Sequence, residues 1–521
     1  MNKNQLLALP FFIVSLCAGC SLSGDTALDS PATVTQASSP ANVVIRNQST
    51  DFGVGGSAYG VGDPAIMPGD LDGDGFGDMV VVEGPCAHII YGAGTLPHVL
   101  DTATTATLVG SSEMADNCNG EWSSSPTHPM PVHANWLGLA AAGDVDRDGF
   151  ADFLVFFDGM NDIDKNTATV HLVGAYLVYG GPTRLTGRHL LAEASGAFFA
   201  NAYAPTGLGD VNGDGFADIG ALDKSLDMPD TAAGTAAVFF GSATRFTGEV
   251  PLDQAGAQLS IPAGYQFGLG LHSAGDLNGD GYADFVVGTF NDDLGDCDGL
   301  VSRVWIVLGG PKVGGALSLD TVPFIEGKII GPYSDFAVPL GDLDGDGFDD
   351  LAVTTCHNPQ QPGALASDTN ILFGRPDLST LPGSWNVTFP NTNALVSADV
   401  DGDGIRDLIL ADPSASNGNG NGVVYIRRGT GARLSGSIDP TLGSLAIPSS
   451  YRCNGSLVAC GEFLGRWLMV GSDVDGDGLA DILVGANVAK DANGDPINDP
   501  LMSTGHAYLL RGAAIKASLS R

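Results

Sequence analysis

Basic residues are scarce. Only 22 Lys and Arg stand against 60 Asp and Glu in 521 residues, for a formal net charge of −38. Phosphate backbones need basic surface to bind, so nucleic-acid partners are excluded. Charged residues of both signs amount to 16% while hydrophobic residues reach 44%, which excludes an acidic disordered chain. Sustained 3.6-residue periodicity with helix caps is missing throughout, so few helices are expected. The catalytic signatures are missing too: there is no G-x-S-x-G elbow, no H-E-x-x-H and no phosphate-cradling glycine loop. The nine His are scattered. His128 and His133 share a loop without metal-ligand spacing and read as satisfied or solvated. No carboxylate pair can be singled out for acid–base work, because Asp-rich segments supply such pairs everywhere.

The N-terminus reads as targeting rather than structure. After a polar start, Leu6–Leu16 is an eleven-residue apolar run, well short of the roughly 20 residues that span a bilayer as a helix. It fits a signal-peptide core. The run ends in Cys17-Ala18-Gly19-Cys20, similar to a bacterial lipobox, with Cys17 where that pattern has Leu. Residues 1–19 are therefore expected to be a lipoprotein-type signal peptide with Cys20 lipidated; plain secretory cleavage stays open. Residues 20–41, small, polar and Pro-containing, read as a flexible tether. Export follows, with the outer membrane or cell surface as destination for a lipoprotein, otherwise the periplasm or medium. The lipid is the expected membrane contact.

What the chain has in abundance is one nonapeptide, D-x-[DN]-x-D-G-x-x-D, repeated seven times at spacings of 57 to 74 residues. The first copy carries Asp70, Asp72, Asp74, Phe76 and Asp78 at positions 1, 3, 5, 7 and 9. The second has Asp144, Asp146, Asp148, Phe150 and Asp152, and the third Asp210, Asn212, Asp214, Phe216 and Asp218. The fourth has Asp276, Asn278, Asp280, Tyr282 and Asp284, and the fifth Asp342, Asp344, Asp346, Phe348 and Asp350. The sixth has Asp399, Asp401, Asp403, Ile405 and Asp407, and the last Asp473, Asp475, Asp477, Leu479 and Asp481. These positions hold 26 of the 60 acidic residues, so much of the charge is concentrated in the repeats.

Six copies run directly into a continuous apolar stretch such as Met79-Val80-Val81-Val82 or Phe285-Val286-Val287; the third, Ile219-Gly220-Ala221-Leu222, is weaker. Unalternating runs of this kind are strands buried on both faces. A second strand stopped by Gly follows each copy in phase, as in His88–Gly92, Tyr176–Gly180 and Tyr508–Gly512. Seven multi-strand units predict an all-β fold, a seven-bladed β-propeller with a calcium-binding loop in each blade, over residues 42–521. The last unit has little room after Gly512 for an outer strand. Asn42–Arg46 is expected to supply it and close the ring.

Oxygens at positions 1, 3, 5, 7 (backbone carbonyl) and 9, with Gly at position 6 for a sharp turn, suit a hard divalent cation, and calcium in particular. An EF-hand would need Glu at position 12. That position holds Val81, Val155, Ala221, Val287, Val353, Leu410 and Val484, so the loop leads into a strand rather than a helix. Up to seven Ca²⁺ are expected.

The chain resembles the FG-GAP repeats of the integrin α-chain N-terminal propeller and its bacterial relatives, over about residues 42–512. The Phe-Gly cue is clear at Phe267-Gly268 and loosened at Trp136-Leu137-Gly138 and Phe463-Leu464-Gly465; the Gly-Ala-Pro cue is degraded to Gly288-Thr289 and Gly485-Ala486. The resemblance implies the same ligands as the spacing does: side chains at positions 1, 3, 5 and 9, with the carbonyl at 7.

If each loop joins the first and second strands of a blade, the long polar connections emerge on the opposite face. These include residues 111–133, 158–169, 223–234, 290–302, 356–369, 411–422 and 486–504. An unknown protein or glycan ligand is expected on that calcium-free face. Asp491-x-Asn493-x-Asp495…Asp499 mimics the loop but has Pro496 in place of Gly and reads as an acidic surface loop. Six Cys beyond Cys17 and Cys20 suggest disulfides, Cys453/Cys460 being the best local pair and Cys86/Cys118 and Cys297/Cys356 further candidates. The favoured function is a surface-tethered adhesion or recognition module without catalysis. The alternatives are a carbohydrate-active enzyme, a polysaccharide lyase or hydrolase, on a calcium propeller, and a structural envelope component.

Overall fold

The computed structural model describes residues 32–33, 42–46, 65–83, 86–109, 136–158, 174–223, 235–262, 265–291, 301–327, 336–356, 367–379, 381, 385–392, 394–416, 421–448, 464–489 and 503–520. Its strands form seven sheets, one per nonapeptide. In blade 1 the strands run in order from Ala65–Gly69 through Asp78–Glu83 and Cys86–Ile90 to Ala106–Val109, each antiparallel to the next. The nonapeptide joins the first and second strands, and the same placement recurs in every blade. The seven-bladed expectation holds.

The apolar runs are explained by blade stacking. All six residues of Asp78–Glu83 are buried. Alternation sends Val80 and Val82 into a core shared with Leu139, Phe153 and Val155 of blade 2. Met79 and Val81 point the other way, into a core with Val43, Val474, Leu483 and Leu509 of blade 7. A strand with a neighbouring blade on each side has no polar face, hence no alternation in its sequence. The weaker third run behaves alike, with Ile219, Ala221 and Leu222 buried.

Ring closure follows the expected route. Val43, Val44 and Ile45 pair antiparallel with Leu509, Tyr508 and Ala507, so the N-terminal strand is the fourth strand of blade 7. The chain after Leu510 forms the helix Gly512–Leu519, its Ile515 buried. Five blades gain a further parallel strand from the segment leading into the next blade's outer strand, as Arg188–Leu190 does on Thr107–Val109 and Val99–Asp101 on Val44–Arg46. Blade 6 gains Ala32–Thr33, paired with Leu445–Ala446, so part of the expected tether contributes a strand.

The signal peptide, Cys20, residues 111–133, most of the connections 158–169, 223–234, 290–302, 356–369 and 486–504, the Asp491–Asp499 segment, Cys118, Cys297, Cys453 and Cys460 lie outside the described residues. Residues 411–422, expected as a long polar connection, are instead largely strand: Asp407–Ser416 and Asn421–Arg427 pair with each other and leave only four residues between them. Cys86 is disulfide-bonded. Among the described residues, no helix is long and apolar enough to cross a membrane.

Candidate metal centre

Each nonapeptide folds around its first and last carboxylates. In all seven loops the position-1 Asp accepts the position-6 Gly N–H at 2.7–3.0 Å, winding the backbone about that side chain. The winding needs positive φ: Gly73 has φ 78° and Gly75 φ 90°, values that L side chains rarely adopt. The position-9 Asp is fully buried in every copy. One oxygen accepts the position-2 N–H at 2.7–3.1 Å. The other accepts the N–H of the Gly that ends the third strand, at 2.7–2.9 Å. That Gly is dictated by contact, since a Cβ on Gly92 would lie 2.3 Å from the Gly77 carbonyl oxygen. Position 9 therefore staples the loop to the third strand, a role the spacing alone does not reveal.

In blades 1, 2, 5, 6 and 7 the carboxylates of positions 1, 3 and 9 converge, one oxygen of each lying within 4.8 Å of the others. The groups are Asp70, Asp72 and Asp78; Asp144, Asp146 and Asp152; Asp342, Asp344 and Asp350; Asp399, Asp401 and Asp407; and Asp473, Asp475 and Asp481. Blades 3 and 4 have Asn212 and Asn278 at position 3, whose side-chain oxygens accept the position-5 N–H of Asp214 and Asp280 at 2.8 and 2.9 Å. The position-5 Asp lies outside these groups, with one oxygen on the position-7 N–H, as for Asp74 and Phe76 at 2.9 Å. Two observations test whether a cation fits. The donors are all hard oxygens. Within this cradle the Oδ1 atoms of Asp344 and Asp475 are buried without a hydrogen-bond partner, a costly state for a carboxylate oxygen that ligation would remove. The residues fit a hard divalent cation.

Burial, reinforced by the neighbouring Asp and opposed by the two backbone N–H groups, pushes Asp78, Asp152, Asp218, Asp284, Asp350 and Asp481 up to about 7 and Asp407 up to about 6. In the cation-free fold these groups hold protons that the unfolded chain has released. Their contribution is thus fully present below about pH 4 and is lost as the pH rises through about 7. The melting temperature in EDTA is expected to fall between pH 5.5 and pH 8. In excess calcium the trend reverses, because ligation needs the deprotonated form. A flat or rising profile in EDTA would contradict this cause.

The loops also touch one another around the ring. The position-8 N–H of Ala151, Ala217 and Ala283 donates to the position-1 carbonyl of Asp70, Asp144 and Asp210, and Gly77 donates to Asp473 across the closure. Four of the five aromatic residues at position 7 lie against the position-4 Gly of the preceding loop: Phe150 at Gly73, Tyr282 at Gly213, Phe348 at Gly279 and Phe76 at Gly476. Arginines complete the belt, and the sequence reading missed them: Arg184 on Asp72 and Asp74, Arg245 on Asp146 and Asp148, Arg433 on Asp344 and Asp346, Arg428 on Asp401 and Arg511 on Asp475. Their signal is an Arg four residues after, or one before, the Gly that ends the third strand.

The chain is 30% identical to human integrin alpha-6 over 170 residues, 32% of this chain and 13% of that one. It is 33% identical to Drosophila melanogaster integrin alpha-PS2 over 161 residues, 29% of this chain and 11% of the relative. With chicken integrin alpha-V the identity is 27% over 242 residues, 42% of this chain and 21% of that one. The propeller is integrin-α-like. The integrin-α-like region is a small part of those relatives, since the chain covers only 11% to 21% of their length. No family model matches. A solved polysaccharide lyase, Uly1, overlays on 91% of this chain and 98% of its own at 10% identity, with a TM-score of 0.38.

Proposed function

We propose that this protein is a calcium-loaded propeller, exported and held at the cell surface through lipidated Cys20, that recognises a protein or glycan through the face opposite its Asp loops. The observation that carries the reading is the segregation of the seven loops. Every nonapeptide sits between the first and second strands of its blade, so the metal belt lies at one end of the strands, and the strand ends from which the long connections leave lie at the other. A rigid scaffold with variable loops on one face is the usual layout of a recognition surface. Likeness to integrin α chains supports adhesion as the class. Calcium is favoured over magnesium, because carboxylate-rich cradles with backbone oxygens suit larger, less regular coordination than magnesium's octahedron.

A glycan and matrix-protein array probed with the lipid-free chain, in calcium and in EDTA, tests the reading. Binding to one ligand class in calcium, lost in EDTA, is expected. No binding to anything in either condition contradicts recognition, and shortening of an arrayed glycan assigns an enzyme instead.

A further inference from the structure

Two kinds of loop occupy the belt, and they differ by a matched pair of charges. Wherever position 3 is Asp, a guanidinium pairs with it. Arg184 bridges Asp72 and Asp74, Arg245 bridges Asp146 and Asp148, and Arg433 bridges Asp344 and Asp346. These three come from the next blade, four residues after Gly180, Gly241 and Gly429. In blades 6 and 7 the cation comes from the same blade, one residue before Gly429 and Gly512: Arg428 donates to Asp401 Oδ2 at 2.5 Å, and Arg511 lies 3.6 Å from Asp475 Oδ2. The Arg is missing only where position 3 is Asn. Facing Asn212 and Asn278, the corresponding residues of the next blade are Val313 and Leu378, and Phe240 and Leu308 stand before the Gly.

The two arrangements satisfy the same acceptor. Arg245 and Arg433 donate through Nη2 to the position-5 Oδ2 of Asp148 and Asp346, at 2.5 and 2.7 Å. In the Asn loops that oxygen takes the side-chain amide instead, Asn212 on Asp214 at 2.9 Å and Asn278 on Asp280 at 3.0 Å. Arg147 lies beside Gly215 of the third loop yet makes no ion pair there, so an Asn loop with a cation nearby still goes unpaired.

We infer that these five arginines are resident counter-charges. Four of them donate to the second oxygen of the position-3 carboxylate and Arg511 stands within ion-pair distance of it, and those serving the loops of blades 1, 2 and 5 hold the position-5 carboxylate as well, so the loop stays formed and its other oxygens stay aimed inward whether or not a cation is bound. An interblade latch alone would explain Arg184, Arg245 and Arg433, whose guanidinium carbons lie 4.5–4.8 Å from the ring centres of Tyr91, Tyr179 and Phe373. It does not explain why the Arg is lost with the Asp, nor why blades 6 and 7 supply it from a different position. The geometry of the pairs stands on its own; their bearing on cation binding rests on the calcium reading above.

The discriminating experiment is hydrogen exchange in EDTA, read at peptides covering residues 70–78 of the full chain. Arg184→Gln is expected to speed exchange about tenfold, the scale of one charge-assisted pair. Adding Asp72→Asn, which reproduces the arrangement of blades 3 and 4, is expected to restore most of the protection. Asn212→Asp, an unmatched fourth carboxylate, should loosen residues 210–218 by a similar factor. An Arg184→Gln loss that Asp72→Asn does not repair, or an unchanged Asn212→Asp loop, overturns the counter-charge role. Calcium content of the wild type, measured in parallel, is independent: a chain that binds none defeats the calcium reading and leaves the exchange comparison intact.

Discussion

Removing divalent cations with EDTA is expected to lower the melting temperature by on the order of 20 °C. A ligand that binds only the folded state stabilises it by about 2.7 kcal/mol when present at a hundred times its dissociation constant. Seven such loops would together contribute about 19 kcal/mol, more than the whole stability of an ordinary domain. With a melting entropy of about 2.1 cal/mol/K per residue, a propeller of about 480 residues loses about 1 °C per kcal/mol, so the drop is of the size stated. Five of the seven neighbouring loop pairs are also joined by a backbone hydrogen bond, as Ala151 to Asp70 and Gly77 to Asp473, so loosening one of these loops weakens its neighbours. Differential scanning calorimetry in calcium and in EDTA measures the shift. A melt that does not move would mean that the cradles hold no structural cation.

The second large effect separates two carboxylates of one loop. Asp284 accepts Leu277 N–H at 2.9 Å and Gly309 N–H at 2.7 Å, and the residue is buried. Asp284→Ala strands both donors away from water, at about 1–3 kcal/mol each, so blade 4 should be destabilised by about 2–6 kcal/mol in calcium and in EDTA alike. Asp280 is exposed, and water can replace its contacts with Tyr282 and Asn278. Asp280→Ala should therefore cost stability mainly in calcium. Denaturant melts of both variants in both conditions check the contrast. Equal behaviour in EDTA would show that position 9 is a ligand and nothing more.

The parts of this molecule legible in the sequence are those written in local pattern. The nonapeptide, the apolar run after it and the Gly-terminated third strand recur in phase, and together they give the blade, the blade number and the closure by Val43–Arg46. Other parts are set by contacts distant in sequence. Arg184 reaches Asp72 across 112 residues, and the direction of that contact depends on which blade follows which in space. The parallel edge strands, such as Gly436–Ser437 on Val387–Thr388, are too short and polar to show a period. The C-terminal helix is a single eight-residue element whose burial rests chiefly on Ile515 and Gly512. The double duty of position 9 was hidden because one residue type serves both stapling and ligation.

The most direct test of the account is the metal content of the purified chain, equilibrated with calcium and magnesium together, freed of unbound ions and analysed by elemental mass spectrometry. Seven calcium ions per chain, with Asp284→Ala and Asp280→Ala each retaining six, is the expected result. Two or fewer calcium ions per chain, or magnesium in their place, would contradict it.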